Sequence, residues 1–388
     1  MNLMKKTVII LFTGLSLSFL FCSNNSSSKN DTTTNNNGNV TLNDNEEIEI
    51  SNCEDHIWEG DFEINNTALL EYISNYTIIN GDLIIKSNER SNPYSGEILT
   101  NLDNLQCLLK INGSLIIDSN EKLMNLDGLN AITFIGEDLT INNNDLLPNL
   151  DGLTNITSVN GRLSINNNPF LSNLDGLGNI ISIGSGLDIW NNDILTDLNG
   201  LININSIGGD LSISNNDLMI DLDGLTNITS VNGCLSINNN NALKNLDGLT
   251  NITTVSEYLS ITNNDSLPNL SSLNNIIFIG GGLYIFNNIG LSNLNGFSSL
   301  ESLGGELDIW NNDNLLHLDS LSSITSIDGN LTIDDNDLLT NLDGLNQLVF
   351  IRGNFIVTNN INLPTNLAIT VSEQLNNFTG NVTINGNQ

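Results

Sequence analysis

Residues 139–162 read L-T-I-N-N-N-D-L-L-P-N-L-D-G-L-T-N-I-T-S-V-N-G-R, and Leu163 opens a second copy of the same frame. The frame returns at Leu187, Leu211, Leu235, Leu259, Leu283, Leu307, Leu331 and Phe355, 24 residues further on each time. Leu115 lies one step back, and Leu83 fits if its coil carries eight extra residues (115 − 83 = 32, and 32 − 24 = 8), which makes twelve copies. A fixed period of this length leaves each unit unable to bury its apolar side chains alone, whereas stacked units can, so the chain reads as a solenoid.

Counting from the first Leu of a unit, apolar residues fall at positions 1, 3, 9, 12, 15, 18 and 21. Positions 1 and 3 have the period of a strand buried on one face. Position 3 is Ile in eleven copies and Val357 in the twelfth, which suits a half-buried pleated surface. Positions 12 to 21 recur every three residues, a spacing from which an α-helix would drift, so short turns or extended segments are expected there.

Position 6 is Asn in all twelve copies, from Asn88 and Asn120 through Asn216 and Asn240 to Asn336 and Asn360. Asn offers both an amide donor and a carbonyl acceptor. Stacked once per coil, it is expected inside the turn, bonding backbone groups of neighbouring coils; a ligand-binding Asn column is the alternative.

The segment L-x-I-x-x-N resembles the L-x-L-x-x-N strand of leucine-rich repeats, and the tail N-I-T-S-V-N-G at 155–161 resembles receptor L-domain-like repeats. The resemblance covers roughly residues 53–388 and departs from the common pattern where Gly113, Gly161, Gly209 and their equivalents precede the strand in place of Leu. It implies an all-β-rich, right-handed solenoid, a receptor L-domain-type β-helix with 24-residue coils and one long parallel sheet. It also implies a binding and scaffold role of the kind found on cell surfaces, and it brings no catalytic residues.

Residues 1–22 have the layout of a signal peptide, with Lys5 and Lys6 ahead of a short apolar core that ends at Cys22. That core is too short to span a bilayer comfortably. Cys22 followed by Ser and Asn resembles a bacterial lipoprotein signal, which implies acylation of Cys22, export and a lipid-anchored place in the cell envelope or on its surface; Phe21 departs from the small residue usual there. An ordinary cleaved signal peptide is the alternative. Residues 23–48 are Ser, Thr, Asn and Asp with almost nothing apolar and read as a flexible tether. Residues 49–82 read as N-terminal cap coils and 83–388 as the solenoid with its C-terminal cap, whose last strand lies in G-N-V-T-I-N-G-N at 380–387. The extra residues after Asn88 form a loop over about 89–98.

The formal charge is −34, and −36 once Lys5 and Lys6 leave with the signal. Nucleic-acid binding needs clustered Lys and Arg, which this chain lacks. Cys53 and Cys107 both lie near the N-terminal cap and are candidates for a bridge in an exported protein, while Cys234 reads as a partly exposed thiol. The two histidines, His56 and His317, are far apart, so a zinc site of the usual kinds is not expected and no Ser-His-Asp set can be assembled. The chain is therefore expected to be no enzyme. The rival class is a polysaccharide-acting β-helix enzyme, which would need an acid–base pair in a cleft. Arg162, Lys244 and Arg352 are not expected to cluster. No cofactor is expected. The Asp column at position 13 (Asp103, Asp127, Asp151, Asp175, Asp223, Asp247, Asp319, Asp343), usually followed by Gly, reads as turn capping, with a structural calcium ladder as the alternative.

Positions 2 and 4 face outward from the main sheet and are mostly small and polar, but Trp190, Tyr284, Phe286 and Trp310 are aromatic. Aromatics on a solvent face have no core to fill and often anchor interfaces or stack on sugars. The expected recognition surface, for a protein or glycan, centres on Tyr284, Phe286 and Trp310 with Asp308 as a polar acceptor; aromatics that only cover one another and rigidify the sheet are the alternative. Asp188 and Trp190, five coils away, form a second subsite.

Overall fold

The computed structural model describes residues 53, 56–87, 98–376 and 378–388. The expected signal segment, Cys22, the tether, Asn88 and nearly all of the 89–98 loop lie outside these residues.

The described chain is a parallel β-solenoid. Position 1 of each coil starts a short strand, as in Leu139–Asn142, Leu163–Asn166 and Leu283–Phe286. These strands stack in sequence order into a 14-stranded parallel sheet that runs from Phe62–Ile64 to Val382–Asn385. Register holds from coil to coil, so that Leu163 pairs with Leu139 and Leu187, and Ile165 with Ile141 and Ile189. Two-residue strands at positions 20 and 21, such as Ser158–Val159, form seven- and six-stranded sheets on the far side of the coil.

Positions 13–15 form a three-residue 3-10 turn in most coils, for example Asp151–Leu153, and this tighter helix explains the period of three. The coil opened by Leu283 carries Phe297 at position 15; its Gly296 has φ +154° and no 3-10 turn forms there. Gly at position 14 answers to a close approach, because a Cβ on Gly152 would overlap the Leu126 carbonyl of the coil below. The core sits between the faces: Leu139, Ile141, Leu147, Leu150, Leu153 and Ile156 are all fully buried. Each such side chain contributes about 1.5–3 kcal/mol relative to exposure.

The position-6 column is internal. Eleven of its members, Asn120 to Asn360, are described, and all are 0% exposed. Asn216 shows the wiring. Its Nδ2 donates to Ile189 O of the coil below (3.0 Å) and to Ser214 O of its own coil (3.0 Å). Its Oδ1 accepts the backbone N–H of Asn192 (3.0 Å), and its own N–H donates to Asn240 Oδ1 (3.1 Å). The ladder ends on Asn387, which accepts from Asn360 N and donates to Val357 O. The residue just before each rung, Asn143, Asn215 or Asn311 for example, has φ between +53° and +59°. That left-handed conformation is one Asn tolerates better than most residues, which accounts for the recurring Asn-Asn pair.

The ends differ from the middle. An α-helix, Thr67–Tyr72, capped by Asn66 Oδ1 accepting from Leu69 N (2.9 Å), replaces the 3-10 turn in the first coil. Trp58, Phe62, Tyr72 and Tyr76 pack on one another there. A disulfide joins Cys53 to Cys107 across that end. At the other end the helix Thr365–Glu373 buries Ala368 and Val371, and Gln374 Nε2 ties it to Leu345 O and Leu348 O. The terminal helices cover core that a stacked neighbour covers elsewhere.

Position 13 corrects one expectation. Its Asp is the first residue of the 3-10 turn, but the side chain that caps the turn belongs to position 11: Asn149 Oδ1 accepts from Asp151 N (3.2 Å) and Asn341 Oδ1 from Asp343 N (3.0 Å). The position-13 carboxylates stay at the surface, where neighbours repel. Asp223 is held above the ordinary carboxylate range by partial burial first, then by Asp221 and by its stacked neighbour Asp247.

Candidate functional site

Positions 2 and 4 of the main sheet point away from the core, so whatever they carry is presented on a flat lattice of strands. In most coils that lattice is small and polar, as with Ser164, Ser212 and Ser236. Two neighbouring coils are different. Tyr284 stands in register with Asp308 and Phe286 with Trp310, and all four side chains are half-buried.

The expected aromatic patch divides in two. Phe286 and Trp310 stack face to face across adjacent strands, with ring centroids 4.5 Å apart and planes 10° from parallel. Tyr284 leans the other way, toward the N-terminal ends of the strands. Its ring lies over Gly282, where an added Cβ would meet the ring carbon Cζ at 2.7 Å. From there its hydroxyl donates to Glu306 Oε2 (2.9 Å), and its ring meets Tyr258 edge-on at 5.8 Å and 84°. Burial above all, then Glu306 and Asp308, pushes the Tyr284 hydroxyl well above its ordinary pKa. Asp308 is raised to about 6: burial dominates, a hydrogen bond from Thr332 opposes it, and the charge of Glu306 adds to it. Its Oδ1 is buried without a hydrogen-bond partner.

Asp188 and Trp190 sit in register on the same face, between Ser164 and Ser212 and between Asn166 and Ser214 respectively. Asp188 already holds a cation: Arg162 forms an ion pair with it and reaches Asp210 Oδ2 at 3.6 Å. Arg162 is thus part of this half-site and not isolated along the rod. Burial raises the Asp188 carboxyl while Arg162 lowers it and Asp210 raises it again. Trp190 has no ring contact among the described residues, so the half-site lacks the stacked pair found at Phe286 and Trp310.

The residue just before each strand forms a further column that sequence reasoning passed over. Asp138 Oδ1 accepts the N–H of Arg162, Asp210 Oδ1 that of Cys234 (2.9 Å) and Asn330 Oδ1 that of Asn354 (2.8 Å). These acceptors tie coil to coil in the manner of the position-6 Asn. A groove of about 400 Å³ lies where the column reads Tyr258, Gly282, Glu306, lined by Tyr258, Tyr284, Glu257, Glu306 and Asp328. The signal was present in the run G-G-G at 280–282 and the paired Gly304 and Gly305.

Cys234 also lies in this column. It is 2% exposed, contrary to the partly exposed thiol expected, because Asp210 and Tyr258 flank it in the coils on either side, and its sulfur is not a free thiol. Among the described residues, Asp210, Cys234 and Glu257 bring ligand-type atoms within 4.8 Å of one another. Since the Cys234 sulfur is not a free thiol, we assign no metal to them.

A comparison with protein-family models finds no match, and neither does a comparison with curated proteins.

Proposed function

We propose that the chain is a non-enzymatic binding or adhesion module, exported and held on a bacterial membrane through Cys22, that recognises a protein or glycan with the outer face of its long parallel sheet. One observation carries the reading: the stacked Phe286–Trp310 pair, half-exposed on a sheet whose outer positions are mostly small and polar. A rigid ring pair on a flat polar lattice suits stacking on a sugar or anchoring a protein contact. The net charge of −34 argues against nucleic acid and other polyanions as ligands. The leucine-rich-repeat and L-domain resemblance supports the same reading.

The test is binding of the chain from residue 23 onward to glycan and protein arrays, with fatty-acid labelling of the full chain and its Cys22→Ser variant alongside. Saturable binding to at least one ligand and labelling lost in the variant are expected. No saturable ligand in either class would remove the binding reading, and labelling that persists without Cys22 would remove the anchor.

A second reading is a polysaccharide-acting enzyme, with Glu306 in the groove and Asp308 two residues further along the chain. A carboxyl raised to about 6, Asp308, next to Glu306 resembles the divided acid and base roles of glycoside hydrolysis. Release of reducing ends from a polysaccharide panel, lost in Asp308→Asn, would favour it over the first.

A further inference from the structure

The groove at the N-terminal edge of the sheet carries one chemistry. Three carboxylates, Glu257, Glu306 and Asp328, line it; Arg352 already pairs with Asp328, which leaves Glu257 and Glu306 without an ion pair among the described residues. Two phenol rings, Tyr258 and Tyr284, set edge to face, make up its apolar wall. Gly282, without a side chain, admits the Tyr284 ring into that wall. The groove's volume of about 400 Å³ falls within the range of small-molecule sites.

We propose that this groove binds an organic cation, a guanidinium or ammonium group, with Glu306 and Glu257 as its ionic partners and the Tyr258 and Tyr284 rings as its π surface. The proposal rests on the reading of the sheet face as a recognition surface and names the ligand chemistry at its edge. Aromatic faces attract cations through the ring quadrupole, more strongly where water is excluded. Carboxylates supply charge-assisted hydrogen bonds, and a guanidinium presents its donors in a planar fork that two oxygens can meet. Glu306 is pre-oriented, with Oε2 accepting from Tyr284 (2.9 Å) and Oε1 from Asn330 Nδ2 (3.4 Å). Tyr284, Tyr258 and Asp308 all titrate above their ordinary ranges, and in each a neighbouring acidic group adds to the effect of burial. An entering cation would relieve that excess negative field. An anionic ligand would add to it, and a neutral sugar would leave it unanswered. The surrounding charge, 10 basic against 44 acidic residues, further favours approach of a cation.

The test is calorimetric titration of the chain from residue 23 onward with L-argininamide, L-citrullinamide and the blocked tripeptide acetyl-Gly-Arg-Gly-amide at neutral pH and low salt. Citrulline keeps the shape of arginine and removes its charge. Saturable binding of argininamide is expected, with citrullinamide at least about tenfold weaker, and Glu306→Gln is expected to weaken argininamide about tenfold, the scale of losing one charged hydrogen-bond partner. The tripeptide binding much more tightly than argininamide identifies a polypeptide side chain as the source; equal affinities identify a free cation. Should Glu306→Gln fail to fold, Glu257→Gln, at an exposed residue, makes the same test. Equal binding of argininamide and citrullinamide, or unchanged affinity in a folded carboxylate variant, overturns the proposal. If argininamide does not bind while an array ligand still depends on Phe286 and Trp310, the cation site fails and the recognition face stands; if neither ligand binds, both fail.

Discussion

Replacing Asn216 by Ala tests the internal ladder at the middle of the rod. The side chain is fully buried and holds three backbone groups: it accepts from Asn192 N at 3.0 Å and donates to Ile189 O and Ser214 O, each at 3.0 Å. Truncation leaves the Asn192 N–H and the Ile189 carbonyl without this partner in a space water does not reach. Each orphaned buried group costs about 1–3 kcal/mol, so the expected loss is about 2–6 kcal/mol. Because each repeat contacts only its neighbours, unfolding need not be two-state over the whole rod, and the effect should be local. Guanidinium denaturation followed by circular dichroism measures the loss, and hydrogen exchange locates it. Exchange should accelerate at the Asn192 amide and in the two flanking coils while distant coils keep their protection. The neighbouring Asn215, at φ +53°, is the control: Asn215→Gly should change stability by a few tenths of a kcal/mol, because the position asks for conformation and not for a side-chain bond. A loss below about 0.5 kcal/mol in Asn216→Ala, the level of an ordinary surface substitution, would refute the reasoning.

Three further outcomes follow from the same structure. Asp308→Asn should stabilise the chain at pH 7–8 by of the order of 1–3 kcal/mol, because a carboxyl whose folded pKa is raised from 3.8 to about 6 lowers stability progressively as pH rises between those values and fully above them; below about pH 4 the difference should vanish, and a pH series of denaturation curves shows it. Gly152→Ala, whose Cβ would overlap the Leu126 carbonyl, should lower stability by about 1–3 kcal/mol in the same assay, while Gly178→Ala, at φ −62° where sister coils carry Thr154 and Thr226, should be neutral or slightly stabilising. Removing the Cys53–Cys107 bridge with Ser at both positions opens a link between residues 54 apart and should cost up to about 4 kcal/mol, seen as earlier unfolding of the N-terminal coils.

Much of the fold was legible because the repeat is read many times over. Leu at position 1, Ile at position 3 and Asn at position 6 say the same thing in coil after coil, and burial of all three follows. Features set by one coil against its neighbour were harder to read. The Asp of position 13 looked like a cap, yet the caps are Asn149 and its equivalents two residues earlier, because which side chain reaches the N–H depends on how the chain enters the turn. Arg162 looked isolated in sequence and meets Asp188 only because residues 26 apart become neighbours across coils. The helices Thr67–Tyr72 and Thr365–Glu373 fall where the repeat breaks, so periodicity said nothing about them.

The candidate site shows the same division. Register between Phe286 and Trp310 was readable from spacing alone, and the two rings stack. That Tyr284 turns from them toward Glu306 was not, because it depends on the absent side chain of Gly282.

The most direct test of the account compares the chain with its Phe286→Ala/Trp310→Ala double variant, using whichever ligand the arrays identify. The stacked pair contributes only about 0.5–1.5 kcal/mol beyond its area to stability, so the variant should remain folded with a small change in melting temperature. The account predicts that its ligand binding falls below detection. Full-strength binding by a folded double variant would contradict it and place recognition elsewhere on the solenoid.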